Sequence, residues 1–61
     1  MTLIIVTVKG DGRKAYVNPN NICAVYPNGQ NEGAIIQFVG DEENYIRVAE
    51  SADSIANMVA D

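Results

Sequence analysis

In AYVNPNNICAVYP, residues 15–27, two short apolar runs flank a proline turn. The side chain of Asn18 can accept a hydrogen bond from the backbone two residues on, and Pro19 fixes φ at the value that a type I turn needs at its second position. Asn20 and Asn21 tolerate the remaining turn geometry. The stretch therefore predicts a strand, a tight turn and a second strand.

Apolar residues recur at every second position through most of the chain, which is the period of half-buried strands. Polar segments that contain glycine or proline separate these runs and predict turns. The pattern predicts five strands, at about residues 2–8, 14–18, 22–26, 34–39 and 44–49. Because the connections are short, we expect the five strands to be antiparallel.

The apolar period changes after the fifth predicted strand. Ser51 is a good N-cap, Asp53 places a negative charge in the first turn, and apolar residues then recur at spacings of three and four. A helix of about ten residues is barely stable alone in water, so we expect Ile55 and Val59 to dock against the sheet. The predicted fold is α+β and mainly β. It is one domain, residues 1–61, in which a small curled sheet or partial barrel precedes a short C-terminal helix.

The size of the chain limits how it can be stabilised. A domain of 61 residues buries only about 60% of the surface that its unfolded chain exposes. Cys23 is the only cysteine and the chain has no histidine, so an internal disulfide cannot form and a zinc site lacks its usual ligands. Association with another subunit is the remaining common source of stability for a small fold.

The first predicted strand is apolar on both faces, with Ile4 and Val6 on one side and Leu3 and Ile5 on the other. One short helix covers only part of one face, and large exposed apolar patches are uncommon on soluble monomers. We therefore expect a homo-oligomer. The alternative is a sheet that curls into a small barrel, with the helix over its open side.

Charge and the start of the chain restrict the classes of partner. Eight acidic residues against four basic ones give a net charge of −4, which disfavours duplex nucleic acid and anionic membranes. Residues 1–6 lack the basic start and long apolar run of a secretory signal, and they are too few to cross a bilayer. A single thiol suits a reducing compartment. We expect a cytoplasmic protein that contacts neither membrane nor duplex nucleic acid.

Reactive chemistry is sparse in this sequence. Cys23 has no histidine to act as its base, although a catalytic thiolate needs an activating base, cation or helix N-terminus. Glu43 or Glu50 with Asp53 could supply paired carboxylates, but nothing in their spacing distinguishes them from surface charge. We expect a non-enzymatic protein with no catalytic residues, metal site or cofactor.

Asp41, Glu42 and Glu43 form an acidic run between the last two predicted strands. The run could offer oxygens to a hard cation, but it lacks the alternating ligands and the distal glutamate of a calcium loop. A solvated hairpin tip whose charge complements a basic protein surface is the preferred interpretation. The sequence thus predicts a protein-interaction module whose partner contacts these three residues.

An alternative hypothesis rests on KGDGRK, residues 9–14. Lys9, Arg13 and Lys14 are three of the four basic residues, and backbone N–H groups beside glycine can cradle an anion. The glycine spacing matches neither a P-loop nor a dinucleotide fingerprint. With the tyrosines and Phe38 as stacking platforms, this loop would bind a small anion or a nucleotide.

Several short segments together resemble a known family. They are YVNPNNI at 16–22, a proline just after the third strand, IIQF at 35–38, YIRV at 45–48 and ES at 50–51. This pattern, over roughly residues 8–59, resembles small proteins of the FlbD type from bacterial flagellar operons, and similar short β-rich proteins occur among phage genes. The resemblance implies a cytoplasmic, non-enzymatic accessory or regulatory factor.

Overall fold

The computed structural model describes residues 2–29, 33–41 and 43–60. These residues form five strands, a 3-10 turn and one α-helix, and the predicted α+β, mainly β fold is confirmed. The elements are β1 (Ile4–Thr7), β2 (Lys14–Val17), the 3-10 turn (Pro19–Asn21), β3 (Ile22–Pro27), β4 (Ala34–Phe38), β5 (Tyr45–Val48) and α1 (Ala52–Ala60).

The strands form two antiparallel sheets that do not close into a barrel. One sheet is the β1–β2 hairpin, and the other has the order β3-β4-β5. Within the described residues, a single bridge between Val8 and Val48 joins them. Hydrogen bonds flank this bridge on both sides, from the Lys9 N–H to the Arg47 carbonyl and from the Ala49 N–H to the Thr7 carbonyl, each 2.9 Å long. The C-terminal end of β1 therefore continues onto β5.

The proline turn between β2 and β3 has the predicted local chemistry. The Asn18 side-chain oxygen accepts from the Asn20 N–H over 3.0 Å, and the Asn18 carbonyl accepts from the Asn21 N–H over 2.9 Å. Pro19 takes the first position of the resulting 3-10 turn, where its missing N–H costs nothing. A register shift between Ile22 and Ala24 places a bulge at the start of β3.

The core draws alternate residues from the strands and one residue from the helix. Its buried members are Ile4, Val6, Val17, Ala34, Ile36, Val48 and Ile55. In β1 the exposed positions interleave with the buried ones, as period-two patterning requires. The two sheets and α1 therefore share one buried apolar cluster.

The helix begins and docks largely as predicted, with one correction. The Ser51 hydroxyl accepts from the Ser54 N–H over 3.1 Å, which confirms Ser51 as the N-cap. Ile55 is fully buried, but Val59 is 41% exposed, so the prediction that Val59 docks against the sheet is wrong. Met58 packs on the core instead. The helix therefore packs on the sheets through Ala52, Ile55 and Met58, which are three residues apart. The sequence period alone fits both this row of residues and the row that contains Ile55 and Val59.

Candidate functional site

The outer surface of the β1–β2 hairpin is apolar and exposed. Leu3 and Ile5 are each 49% exposed, and Tyr16 is 65% exposed. Ile5 pairs directly with Tyr16, while Ile4 and Val17 form the neighbouring pair on the buried side. We call Leu3, Ile5 and Tyr16 the hairpin patch. Its position explains the sequence pattern, because one face of β1 fills the core and the other remains uncovered.

The hairpin patch lies beside a strand edge. Within the described residues, β2 pairs with β1 alone, so the backbone along its other side has no strand partner. An exposed edge with an apolar face is a common template for pairing with another chain. The hairpin therefore offers both backbone hydrogen bonds and apolar area to a partner.

The acidic segment forms the turn between β4 and β5. Asp41 and Glu43 are exposed, whereas Glu42 lies outside the described residues. The Asn44 N–H donates to the Asp41 carbonyl over 2.9 Å, and the Asn44 side-chain amide donates to the Val39 carbonyl over 3.3 Å. Backbone groups and one amide thus hold the turn, and two carboxylates are presented on its outside. In the described part of the chain, no three acidic or cysteine side chains group closely enough to hold a metal.

In the glycine loop between β1 and β2, Arg13 pairs with the carboxylate of Asp11, a residue of the same loop. The Arg13 guanidinium lies 2.8 Å from an Asp11 carboxylate oxygen, and the Arg13 N–H donates to the other oxygen over 3.1 Å. The backbone N–H and the charge of Arg13 lower the pKa of Asp11 below its ordinary value of 3.8. The loop therefore carries its own anion, which competes with any external one for Arg13.

Lys14 and Lys9 lie in surroundings different from that of Arg13. The Lys14 ammonium donates to the Thr7 hydroxyl over 3.0 Å. Lys9 lines a cavity of about 480 Å³ together with Gly10, Asn28 and Arg47. Neither Arg13 nor Lys14 is among the described residues that line this cavity. The three cations that are close in sequence are thus distributed over separate environments.

Glu50 has a structural role that the sequence did not reveal. Its carboxylate accepts from the Thr7 N–H over 2.8 Å and from the Thr7 hydroxyl over 3.0 Å. Partial burial alone would raise the pKa of Glu50, but these hydrogen bonds and the charge of Lys14 outweigh it and hold the pKa below the ordinary 4.5. The carboxylate ties the segment after β5 to the end of β1. It is therefore engaged in the fold rather than paired with Asp53.

The outer surface of the three-stranded sheet is the second exposed region. Tyr26 and Tyr45 are exposed, whereas Phe38 packs against the core. The Arg47 guanidinium lies 5.9 Å from the centre of the Tyr45 ring. A second cavity, of about 160 Å³, is lined by Ile35, Gln37, Tyr45 and Arg47. Sequence reasoning did not select Arg47 for ligand binding, because only strand pairing brings it beside Lys9.

No family model, no curated protein and no solved structure matches this chain. The resemblance to FlbD-type proteins therefore stays a prediction. Of the helices in residues 2–29, 33–41 and 43–60, none has the length and apolar character needed to span a membrane.

Proposed function

We propose that the protein is a small, non-enzymatic interaction module that pairs with a second copy of itself and binds a protein partner. The supporting observation is the hairpin patch, where Leu3, Ile5 and Tyr16 expose about half or more of their surface beside the edge of β2. The resemblance to FlbD-type proteins adds a cytoplasmic regulatory or accessory role to this proposal, in a bacterium or a phage.

The geometry of the hairpin supports self-pairing through β2. A two-fold axis next to Tyr16 and perpendicular to the sheet would join two β2 strands antiparallel and continue both outer faces. The Tyr16 side chains of the two copies would then lie side by side. The two Lys14 residues would lie on opposite sides of the axis, so their charges would not oppose each other. Each copy gains a strand partner, and contact between the two Tyr16 rings covers part of the exposed apolar surface.

Substitution in the hairpin patch is expected to weaken this association. Tyr16→Thr keeps β propensity but removes the aromatic ring, which should raise the dissociation constant by about tenfold, the equivalent of roughly 1.4 kcal/mol. Sedimentation equilibrium measures the constant. The matched control is Val39→Thr, since Val39 is 61% exposed but lies outside the hairpin. A single-chain mass for the unmodified protein at millimolar concentration, or equal weakening by the control, would contradict self-pairing.

The acidic turn is the proposed contact with a basic protein surface. Asp41→Asn with Glu43→Gln changes the net charge by two, and Asn20→Lys with Asn57→Lys changes it equally at exposed positions elsewhere. If the turn makes the contact, only the first pair should release the partner in pull-downs from cells that express the protein. Release by both pairs would indicate a general charge effect, and release by neither would remove the turn from the proposal.

A further inference from the structure

Two glycines of this chain directly follow an asparagine or an aspartate. Gly12 follows Asp11, and Gly29 follows Asn28. At such a pair the backbone nitrogen of the glycine can attack the side-chain carbonyl carbon and form a cyclic succinimide, because glycine has no Cβ to obstruct the approach. The attack needs a glycine N–H and a side chain that other hydrogen bonds do not hold. The structure therefore decides which of the two pairs can react.

Hydrogen bonds hold both partners of the first pair. The Gly12 N–H donates to the Val8 carbonyl over 3.0 Å. The two Asp11 carboxylate oxygens accept from the Arg13 N–H over 3.1 Å and from its guanidinium over 2.8 Å. These contacts lower the pKa of Asp11, chiefly through the Arg13 N–H. The carboxyl is therefore ionised at neutral pH, and an ionised carboxylate resists attack by a nucleophile.

The second pair lies in the connection after β3 and is not held in this way. Gly29 is exposed with a φ of +60°, and Asn28 is half-buried. Among the described residues, neither the Gly29 N–H nor the Asn28 side chain makes a hydrogen bond. The backbone N–H of Asn28 donates to the Gly33 carbonyl over 3.3 Å, which leaves its side-chain amide unengaged. Both reacting groups are therefore available.

We propose that Asn28 is a site of spontaneous deamidation. The Gly29 nitrogen gives up its proton to hydroxide and bonds to Cγ of Asn28, and the side-chain amide takes a proton from water and leaves as ammonia. Water then adds to the succinimide and opens the ring at either carbonyl, which gives aspartate or isoaspartate. The reaction consumes water alone, and it does not depend on self-pairing through β2.

The product changes the charge of the larger cavity. Asn28 lines this cavity with Lys9, Gly10 and Arg47, so both charged residues among the described lining are cations. Deamidation adds a carboxylate there and makes the net charge of the chain one unit more negative than −4. Isoaspartate also lengthens the main chain by one methylene, next to the hydrogen bond between Asn28 and Gly33. The modified chain therefore differs from the new one in both charge and backbone.

Peptide mapping of the full chain by mass spectrometry tests this proposal, with fragmentation that distinguishes isoaspartate from aspartate. A free peptide of residues 26–31, YPNGQN, in the same buffer gives the reference rate. We expect Asn28 of the folded protein to react within about tenfold of the peptide, a difference of about 1.4 kcal/mol in activation free energy. Asn57 precedes Met58 within α1 and should react at least about tenfold more slowly than Asn28. The rate at Asn28 should rise with pH, because the attacking nitrogen must lose its proton.

Gly29→Ala is the matched variant, because it keeps Asn28 but obstructs the attack. Nothing lies within 4 Å of a Cβ built at Gly29, so the variant adds only the cost of a positive φ, about 1 kcal/mol. It should slow the reaction by about tenfold. If circular dichroism shows that this variant is unfolded, Asn28→Gln replaces it and should abolish the modified product. Intact Asn28 when the peptide has fully reacted, equal rates at Asn28 and Asn57, or isoaspartate at Asp11 as fast as at Asn28 would each overturn the proposal.

Discussion

Gly33→Ala is expected to unfold the protein at room temperature. Gly33 has a φ of +106°, and a Cβ built on it would overlap the backbone carbonyl oxygen of Val48. Because backbone cannot rotate away as a side chain can, β4 and β5 would have to separate. The strain of a non-glycine residue at such a φ adds about 1–3 kcal/mol. A chain of this length has a total stability of roughly 3–9 kcal/mol, so the combined cost should exceed most of it.

The control for this change is Gly12→Ala. Gly12 also has a positive φ, of +74°, but nothing lies within 4 Å of a Cβ built there. Only the conformational cost remains, which should be about 1 kcal/mol. Thermal melting followed by circular dichroism measures both variants. Similar melting temperatures for the two would show that the approach of Gly33 to β5 is not close.

Ile55→Ala should cost about 2–5 kcal/mol of unfolding free energy, because it leaves a cavity where the helix meets the sheets. Ile55 is the buried residue of α1, and a nine-residue helix is marginal without docking. Helical signal at 222 nm is therefore expected to fall at lower denaturant concentration than in the unmodified protein.

Val59→Ala is the matched control on the same helix. It also shortens an apolar side chain, but Val59 is partly exposed and the expected cost is below about 1 kcal/mol. Urea unfolding curves of the two variants give the comparison directly. If Val59→Ala were as costly as Ile55→Ala, the helix would dock through a different row from the one described.

Local chemistry made the elements predictable. Alternating apolar residues indicated five strands, Asn18 and Pro19 indicated the turn, and Ser51 indicated the start of the helix. Each of these signals acts over a few residues and needs no tertiary contact. The apolar second face of β1 was predicted for the same reason, and it appears as the exposed hairpin patch at Leu3 and Ile5.

Long-range placement was not predictable from the same signals. Glu50 binds Thr7 because β1 and β5 meet, and that meeting also brings Arg47 to Lys9. Periodicity shows which side of a strand is apolar, but it does not show which distant strand will be the neighbour. The glycine loop shows the same limit. Sequence proximity suggested one cluster of cations, whereas Asp11 engages Arg13 within the loop.

The bridge between Val8 and Val48 costs more chain entropy to form than the other strand pairings do. The other strand pairings join neighbours along the chain, through short loops whose ends are inexpensive to bring together. The β1–β5 contact instead closes a loop that contains most of the polypeptide, and only a few hydrogen bonds secure it. The strand contact that costs the most loop-closure entropy is therefore also the one held by the fewest paired residues.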